Sequence, residues 1–280
     1  MKSYEKFISP ESDYYIYSPS KSAQEMYFYP LECGHFFYEA GYSLRRESYD
    51  SFLLMYVQKG NPAVEIDGRT ILVPPNSFVL LDCYHFHAYS SEEAWECLWC
   101  HFDAIVARHW YSSIVSRLGN VFTLPEPHLA LSRLNDIYHA FSSKAVVKEA
   151  LMSKYLTDIL TSFLLSTPLE HRGHSHADIA EETTAYINEH FKENVTVEEL
   201  ASRASMSPFH FIRIFKKETG FTPHDYLINT RIANAKYLLK NSTLSVKDIC
   251  YSTGFSCESV FCSAFKRCLG VTPAQYRLEG

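Results

Sequence analysis

No stretch of the 280 residues approaches a membrane span, because none holds the roughly 20 consecutive apolar residues that a bilayer-crossing helix needs. Met1-Lys2-Ser3-Tyr4-Glu5 leads into no apolar run either. No secretory leader is therefore expected, and the chain reads as cytoplasmic with no membrane partner. An excess of positive charge is also missing. The net charge is −6, and residues 177–280 balance at twelve Lys/Arg against twelve Asp/Glu, so charge alone does not single out a nucleic-acid binder. The eight cysteines are scattered. The one CxxC, Cys97 to Cys100, lies in a strand-like stretch where an odd separation sends the two thiols to opposite faces, which argues against a zinc pair. Reduced thiols in a cytosolic protein are expected. Catalytic signatures are absent: there is no Gly-x-Ser-x-Gly, no phosphate loop and no paired carboxylates in a plausible pocket. No enzyme, no catalytic residue, no metal and no cofactor are expected.

What the sequence does hold is a repeat. Phe215-Lys216-Lys217-Glu218-Thr219-Gly220-Phe221-Thr222-Pro223 runs to Tyr226, and fifty residues later Phe265-Lys266-Arg267-Cys268-Leu269-Gly270-Val271-Thr272-Pro273 runs to Tyr276. Two copies are too few for a solenoid, so the repeat marks a module used twice. Before each copy stand two short helices. Thr196 and Glu199 form a capping box. A second helix starts at Ser207-Pro208 and ends at Gly220. In the second copy Ser245 starts the first helix, Gly254 makes the turn, Ser256 is the expected cap, and Gly270 ends the second helix. Helix, tight turn, helix is the helix-turn-helix pattern.

At about 100° per residue, Phe211, Ile214 and Phe215 fall on one side of the first copy's second helix, facing a core. Phe209, Arg213 and Lys216 lie opposite, with Ile212 and Lys217 beside them. The second copy gives a core stripe of Phe261, Ala264, Phe265 and Cys268, with Ser259, Ser263 and Lys266 opposite and Arg267 adjoining. An aromatic set away from the core, one turn from an Arg, suits a base edge or a thymine methyl. Thr222-Pro223 opens a longer helix reaching about Lys240, roughly 27 Å of rigid strut. Recognition helices that read successive major-groove faces sit about 34 Å apart, and a strut of this length makes that possible in one chain.

Residues 177–280 resemble the DNA-binding domain of the AraC/XylS family of bacterial transcription regulators. The resemblance rests on Ala201, Ser207-Pro208, Phe211, Phe215-Lys216-Lys217, Gly220, Arg231-Ile232, Ala235, Leu238-Leu239, Ile249, Gly254-Phe255, Phe261, Phe265-Lys266, Gly270, Thr272-Pro273 and Tyr276-Arg277. It implies binding to double-stranded DNA. One departure stands out: the family usually carries Arg three residues before the Lys of the second recognition helix, and this chain has Ser263.

Residues 1–30 are rich in Tyr and have little period, which fits either an arm over the next domain or a loose terminus. From about 31 to 124 the chain reads as strands: Phe52 to Val57, a hairpin of Ala63–Ile66 and Thr70–Val73 around Asp67-Gly68, then Phe78–Leu81, Phe86–Tyr89 and Trp95–Phe102. Gly60, Asp67-Gly68, His87, Tyr89 and Trp95-x-x-x-Trp99-x-His101-Phe102 resemble the cupin-like sensor barrel of the family's sugar-responsive members. Parity puts Trp95, Cys97, Trp99 and His101 on one strand face, and His85, His87 and Tyr89 on one face of the strand before. Tryptophans with a histidine can stack on a sugar face and bond its hydroxyls, so His87, Tyr89, Trp95, Cys97, Trp99 and His101 are the candidate ligand residues. An aromatic core with satisfied histidines is the competing account. Cys97 replaces a His of the arabinose-responsive member, so arabinose is not the expected ligand. His85, His87, Glu92 and His101 echo a cupin metal motif without completing it.

Leu129 to Phe141 and Leu151 to Leu164 carry helical period with a wide apolar face, which the family resemblance associates with dimerisation. The expected fold is α+β: a cupin-like β-barrel with dimerisation helices over 1–167, a linker over 168–176, and an all-α domain of two helix-turn-helix units joined by a long helix over 177–280. The implied function is a ligand-responsive transcription regulator, an activator of carbohydrate genes. Its expected partners are DNA, a small-molecule effector of the sugar class, a second copy of itself and, for an activator, RNA polymerase. Two other accounts are kept: a metal-dependent cupin enzyme fused to a DNA-binding tail, and a regulator whose filled barrel senses nothing.

Overall fold

Strands that are apolar on both faces set the layers of the first half of the chain. The structure, a computed structural model, describes residues 5–143, 146–166 and 176–278. It divides into two compact units, Met1–Pro168 and Leu169–Gly280. Within the expected linker, residues 168–175 lie outside the described residues.

The first unit runs β1 (Asp13–Ile16), α1 (Lys21–Met26), β2 (Tyr29–Tyr38), β3 (Ser43–Arg46), β4 (Phe52–Lys59), β5 (Ala63–Ile66), β6 (Arg69–Leu72), β7 (Ser77–Asp82), β8 (His87–Ser90), β9 (Trp95–Asp103), α2 (Ala107–Leu118), β10 (Val121–Phe122), α3 (His128–Ser142) and α4 (Glu149–Leu165). A six-stranded antiparallel sheet has the order β1-β2-β9-β4-β7-β10, and a four-stranded one the order β3-β8-β5-β6. This is the expected cupin-like pair of sheets. Leu53, Met55 and Val57 of β4 point into the core between the sheets, with Val64 and Tyr89 from the smaller sheet. Phe52, Leu54 and Tyr56 point the other way, into a second core with Ile114, Leu134, Ile137, Leu156 and Phe163 of α2, α3 and α4. Burial on both sides is why β4 reads as an unbroken apolar run. Each such side chain contributes about 1.5–3 kcal/mol of hydrophobic stabilisation. At the β5–β6 turn Asp67 and Gly68 both have positive φ, 50° and 71°, as the type I′ signal requires.

Two expectations change here, and a third element shows how its apolar face is used. Residues 107–118, read as part of a run of strands, form helix α2, whose inward side carries Ala107, Trp110, Tyr111, Ile114, Val115 and Leu118 at helical spacing. Residues 13–16, inside the region read as arm or loose terminus, are an edge strand of the larger sheet. The apolar face of α4 is mostly used within the unit: Met152, Leu156, Ile159, Leu160 and Phe163 are buried against the sheet. Leu151 and Leu165 remain exposed.

The second unit is all helix: α5 (His176–His190), α6 (Val197–Arg203), α7 (Pro208–Thr219), α8 (Pro223–Asn241), α9 (Val246–Ser252), α10 (Glu258–Leu269) and α11 (Pro273–Leu278). Thr196 and Ser245 cap α6 and α9 by accepting from the N–H groups of Glu199 and Asp248, at 3.2 and 3.0 Å. Gly220 and Gly270 end α7 and α10 in the left-handed conformation, φ 79° and 78°. Each helix-turn-helix has its own core, Leu200, Phe211 and Phe215 in one and Ile249, Phe261 and Phe265 in the other. The 19 residues of α8 serve both: Leu227 enters the first core and Ile232, Ala235 and Leu239 the second. Arg231 braces the join, donating to the carbonyls of Phe191 and Glu193 at 2.7 Å each and lying over the Phe255 ring.

Two side chains depart from expectation. The cap of α10 is Cys257, not Ser256. The pairs α6–α9 are offset by 49 residues and α7–α10 by 50, so the second turn is one residue longer and Cys257, not Ser256, matches Ser207. Gly254 sits in that turn at φ 86°, where a Cβ would meet the Phe191 carbonyl oxygen at 2.7 Å. Cys268 is exposed and not part of the core stripe; in the last turn of α10 Leu269 packs on the core instead, and the Cys268 thiol faces Asn229.

Candidate functional site

A cavity of about 390 Å³ opens between the two sheets of the first unit, within the size range of small-molecule sites. Of the six ligand residues expected from parity, Tyr89, Trp99 and His101 line it. His87, Trp95 and Cys97 do not. Trp95 lies on the expected face but is covered by the Tyr38 ring, stacked at 3.9 Å between centroids. Cys97 is fully buried in the core between the sheets, and burial holds its thiol well above the usual range. His87 is buried with Nδ1 held by the His85 carbonyl at 2.9 Å. His85 does not share that face: it precedes β8 and is exposed, 3.3 Å from Asp82. Among the described residues no group of three or more His, Cys, Asp or Glu is placed to hold a metal ion.

Trp99 owes its position to Gly34, its register partner on β2. A Cβ at Gly34 would lie 2.7 Å from the Trp99 indole, so only glycine lets the ring settle against that strand. His101 is buried and bonded through Nδ1 to Ser51 Oγ at 2.8 Å. Burial first, and the Arg46 guanidinium and His87 next, push its pKa down to about 3, so the imidazole facing the cavity is neutral.

Several lining residues were not among those expected. Glu32, Phe36 and Tyr38 come from β2, Leu44 and Arg46 from β3, and Glu5 and Tyr14 from the first fifteen residues. Arg46 lies over the Tyr49 ring at 4.8 Å and makes no ion pair among the described residues. Glu32 accepts a hydrogen bond from the Tyr49 hydroxyl. Tyr42 donates to Glu5 at 3.1 Å. Strand parity bears on β8 and β9 only, and β3, a four-residue strand rich in polar residues, carries no apolar alternation to announce it. The wall thus combines aromatic faces with one cation, two carboxylates and a neutral imidazole.

In the second unit the residues expected to meet DNA are at the surface. Phe209 is 90% exposed. Arg213, Lys216 and Lys217 on α7, and Ser259, Ser263, Lys266 and Arg267 on α10, are exposed too; Ile212 is half-buried. Arg213 Nη2 donates to His210 Nδ1 at 3.2 Å. Lys216, Lys217, Lys266 and Arg267 form no ion pair among the described residues, so their charges are free to meet phosphates. Val260, at the position equivalent to His210, adds an exposed apolar side chain.

Comparison with known proteins follows the same division. The family profile described as AraC-like ligand binding domain matches residues 29–160, and the one described as helix-turn-helix domain matches residues 200–279. The Msm operon regulatory protein of Streptococcus mutans is 25% identical over 252 residues, 86% of this chain and 89% of that protein. The MmsAB operon regulatory protein of Pseudomonas aeruginosa is 23% identical over 261 residues, 89% of this chain and 82% of that one. Among solved structures, the DNA-binding domain of AdpA, the global transcriptional factor, in complex with a target DNA is 38% identical and covers 36% of this chain and 90% of that chain, at a TM-score of 0.35. One profile falls on the two-sheet unit and the other on the paired helix-turn-helix unit, and both full-length relatives are regulators: this chain belongs to the AraC family of transcription regulators, with a DNA-binding helix-turn-helix domain behind a ligand-binding one.

Proposed function

We propose that the chain is a cytoplasmic homodimer that activates carbohydrate-utilisation genes when a neutral sugar occupies the barrel. The observation that carries this reading is the lining of the cavity. Trp99, Phe36 and Tyr38 offer faces for an apolar sugar surface, while Glu5, Glu32, Arg46 and His101 offer hydroxyl partners of both kinds. Two carboxylates against one guanidinium disfavour an anionic ligand. A filled barrel that senses nothing fits poorly with a cavity of about 390 Å³. The names of two relatives, each an operon regulator, are in keeping with control of a gene cluster. On the DNA side, the reading assigns contacts to Phe209, Ile212, Arg213, Lys216, Lys217, Ser259, Ser263, Lys266 and Arg267.

A thermal-shift screen of the full-length protein against neutral sugars tests the effector. Trp99→Ala is expected to weaken the best hit by at least about tenfold, or 1.4 kcal/mol, with DNA binding in the absence of sugar retained. A folded variant with unchanged sugar affinity would remove Trp99, and with it the cavity assignment.

The dimer rests on what α4 leaves uncovered, Leu151 and Leu165 beside the half-buried Tyr155 and Leu164. Sedimentation of full-length protein is expected to give a dimer, and residues 177–280 a monomer. Monomeric full-length protein at micromolar concentration, with and without sugar, rejects the dimer.

A further inference from the structure

A second hollow lies against the first. A groove of about 460 Å³ is lined by Ile16, Tyr17, Leu31, Ser48 and Asp50, together with Glu32 and Tyr49. Glu32 lines both spaces. The Tyr49 hydroxyl, which belongs to the lining of the groove, is bonded to that shared carboxylate. Tyr49 is held from behind: its N–H donates to the Cys83 carbonyl at 2.6 Å, Arg46 covers its ring, and the His101 ring is 5.0 Å away. The Glu32 carboxylate makes no other hydrogen bond among the described residues, so it retains acceptor capacity toward both spaces.

Resting on the sugar reading above, we propose that the effector is a neutral glycoside of at least two rings, one ring in the cavity against Trp99 and the next in the outer groove, with Glu32 accepting hydroxyls from both. The groove favours a neutral extension. Its charged lining is acidic only, Glu32 and Asp50, so a phosphate or carboxylate there would meet like charge with no cation to offset it. Tyr17, Tyr49, Ile16 and Leu31 supply the apolar and aromatic surface that a second ring would cover, and Ser48 and Tyr17 add hydroxyls.

The test is calorimetric titration of full-length protein with glucose, maltose, maltotriose, galactose, lactose, melibiose and glucose 6-phosphate. A disaccharide is expected to bind at least about tenfold more tightly than its component monosaccharide. Ser48→Trp, at an exposed loop position that lines the groove and not the cavity, is expected to close that gap by filling the outer space. Equal affinity for one ring and two in the wild type overturns the two-compartment inference and leaves the sugar reading standing. So does a gap that survives Ser48→Trp in a folded variant. Tighter binding of glucose 6-phosphate than of glucose overturns the neutral extension. No binding by any of the seven overturns both readings.

Discussion

Acidification from pH 7 to pH 5 is expected to destabilise the amino-terminal unit by about 2 kcal/mol through His101 alone. In the fold this imidazole is buried beside Arg46 and His87 and its pKa lies at about 3; in the unfolded chain it returns to about 6.5. Between those values the unfolded state holds a proton that the folded state refuses. The stabilisation is therefore complete above about pH 6.5 and falls by about 1.4 kcal/mol for each pH unit below it, down to about pH 3. His87, whose pKa is also lowered, mainly by burial, steepens the loss in the same direction. All three tryptophans, Trp95, Trp99 and Trp110, belong to this unit, so urea unfolding followed by tryptophan fluorescence reports on it selectively. The measurement is the difference between wild type and His101→Gln across pH 5 to 7, since the glutamine keeps a polar partner for Ser51 and has no proton to gain. A variant with the wild-type slope would show that the fold does not lower the His101 pKa, so that the ring takes up its proton at pH 5 in the fold as it does in the unfolded chain.

Much of the carboxyl-terminal unit can be read without a structure because its determinants are local. Thr196, Ser245, Gly220 and Gly270 act within one turn of their own helix, and the repeat supplies each observation twice. The miss at Ser256 has an equally local cause. Serine is the better N-cap by residue type and points to Ser256, whereas the fifty-residue offset from Ser207 and the longer second turn set the cap at Cys257. Helix α2 was legible from the spacing of Ala107, Trp110, Ile114 and Leu118, but it sits among strands, and the surrounding period of two was carried through it.

The cavity shows where local pattern stops. Parity along β9 correctly placed Trp95, Cys97 and Trp99 on the inner face of the barrel. It could not say how deep each lies, because depth depends on what the neighbouring strand sets opposite. Tyr38 stands across from Trp95 and closes over it; Gly34 stands across from Trp99 and leaves room. Those pairings join residues about sixty positions apart in sequence. The charged members of the wall, Glu5, Glu32 and Arg46, come from segments whose own pattern gives no reason to look for a ligand: Glu32 meets His101 as its register partner across β2 and β9, and Arg46 arrives from the other sheet.

The two recognition helices are expected to contribute unequally to sequence reading, and the inequality follows from residues at matched positions. Arg213 and Ser263 are both exposed and stand fifty residues apart, as do the starts of α7 and α10. An Arg can place two hydrogen bonds on guanine O6 and N7, and losing such a pair costs about 1–3 kcal/mol. A serine is shorter and makes one ambiguous bond. The neighbouring positions repeat the contrast: Phe209 and His210 on α7 face Ser259 and Val260 on α10. Arg213 is also held in place before DNA arrives, by its contact with His210 at 3.2 Å, which lowers the cost of fixing a long side chain on binding. Arg213→Ala is therefore expected to relax base preference in one half of the site that the chain reads. Ser263→Ala should change affinity by less than about 0.5 kcal/mol. Lys266→Ala should weaken binding to all sequences alike and flatten the salt dependence by about one unit of slope, the mark of a lost phosphate contact. Binding of the three variants to a library of single-base operator variants, at two salt concentrations, separates these outcomes. If Ser263→Ala erases base preference as strongly as Arg213→Ala, the second helix reads bases as closely as the first. The short Ser263 hydroxyl would then carry the base reading that is assigned to the longer Arg213.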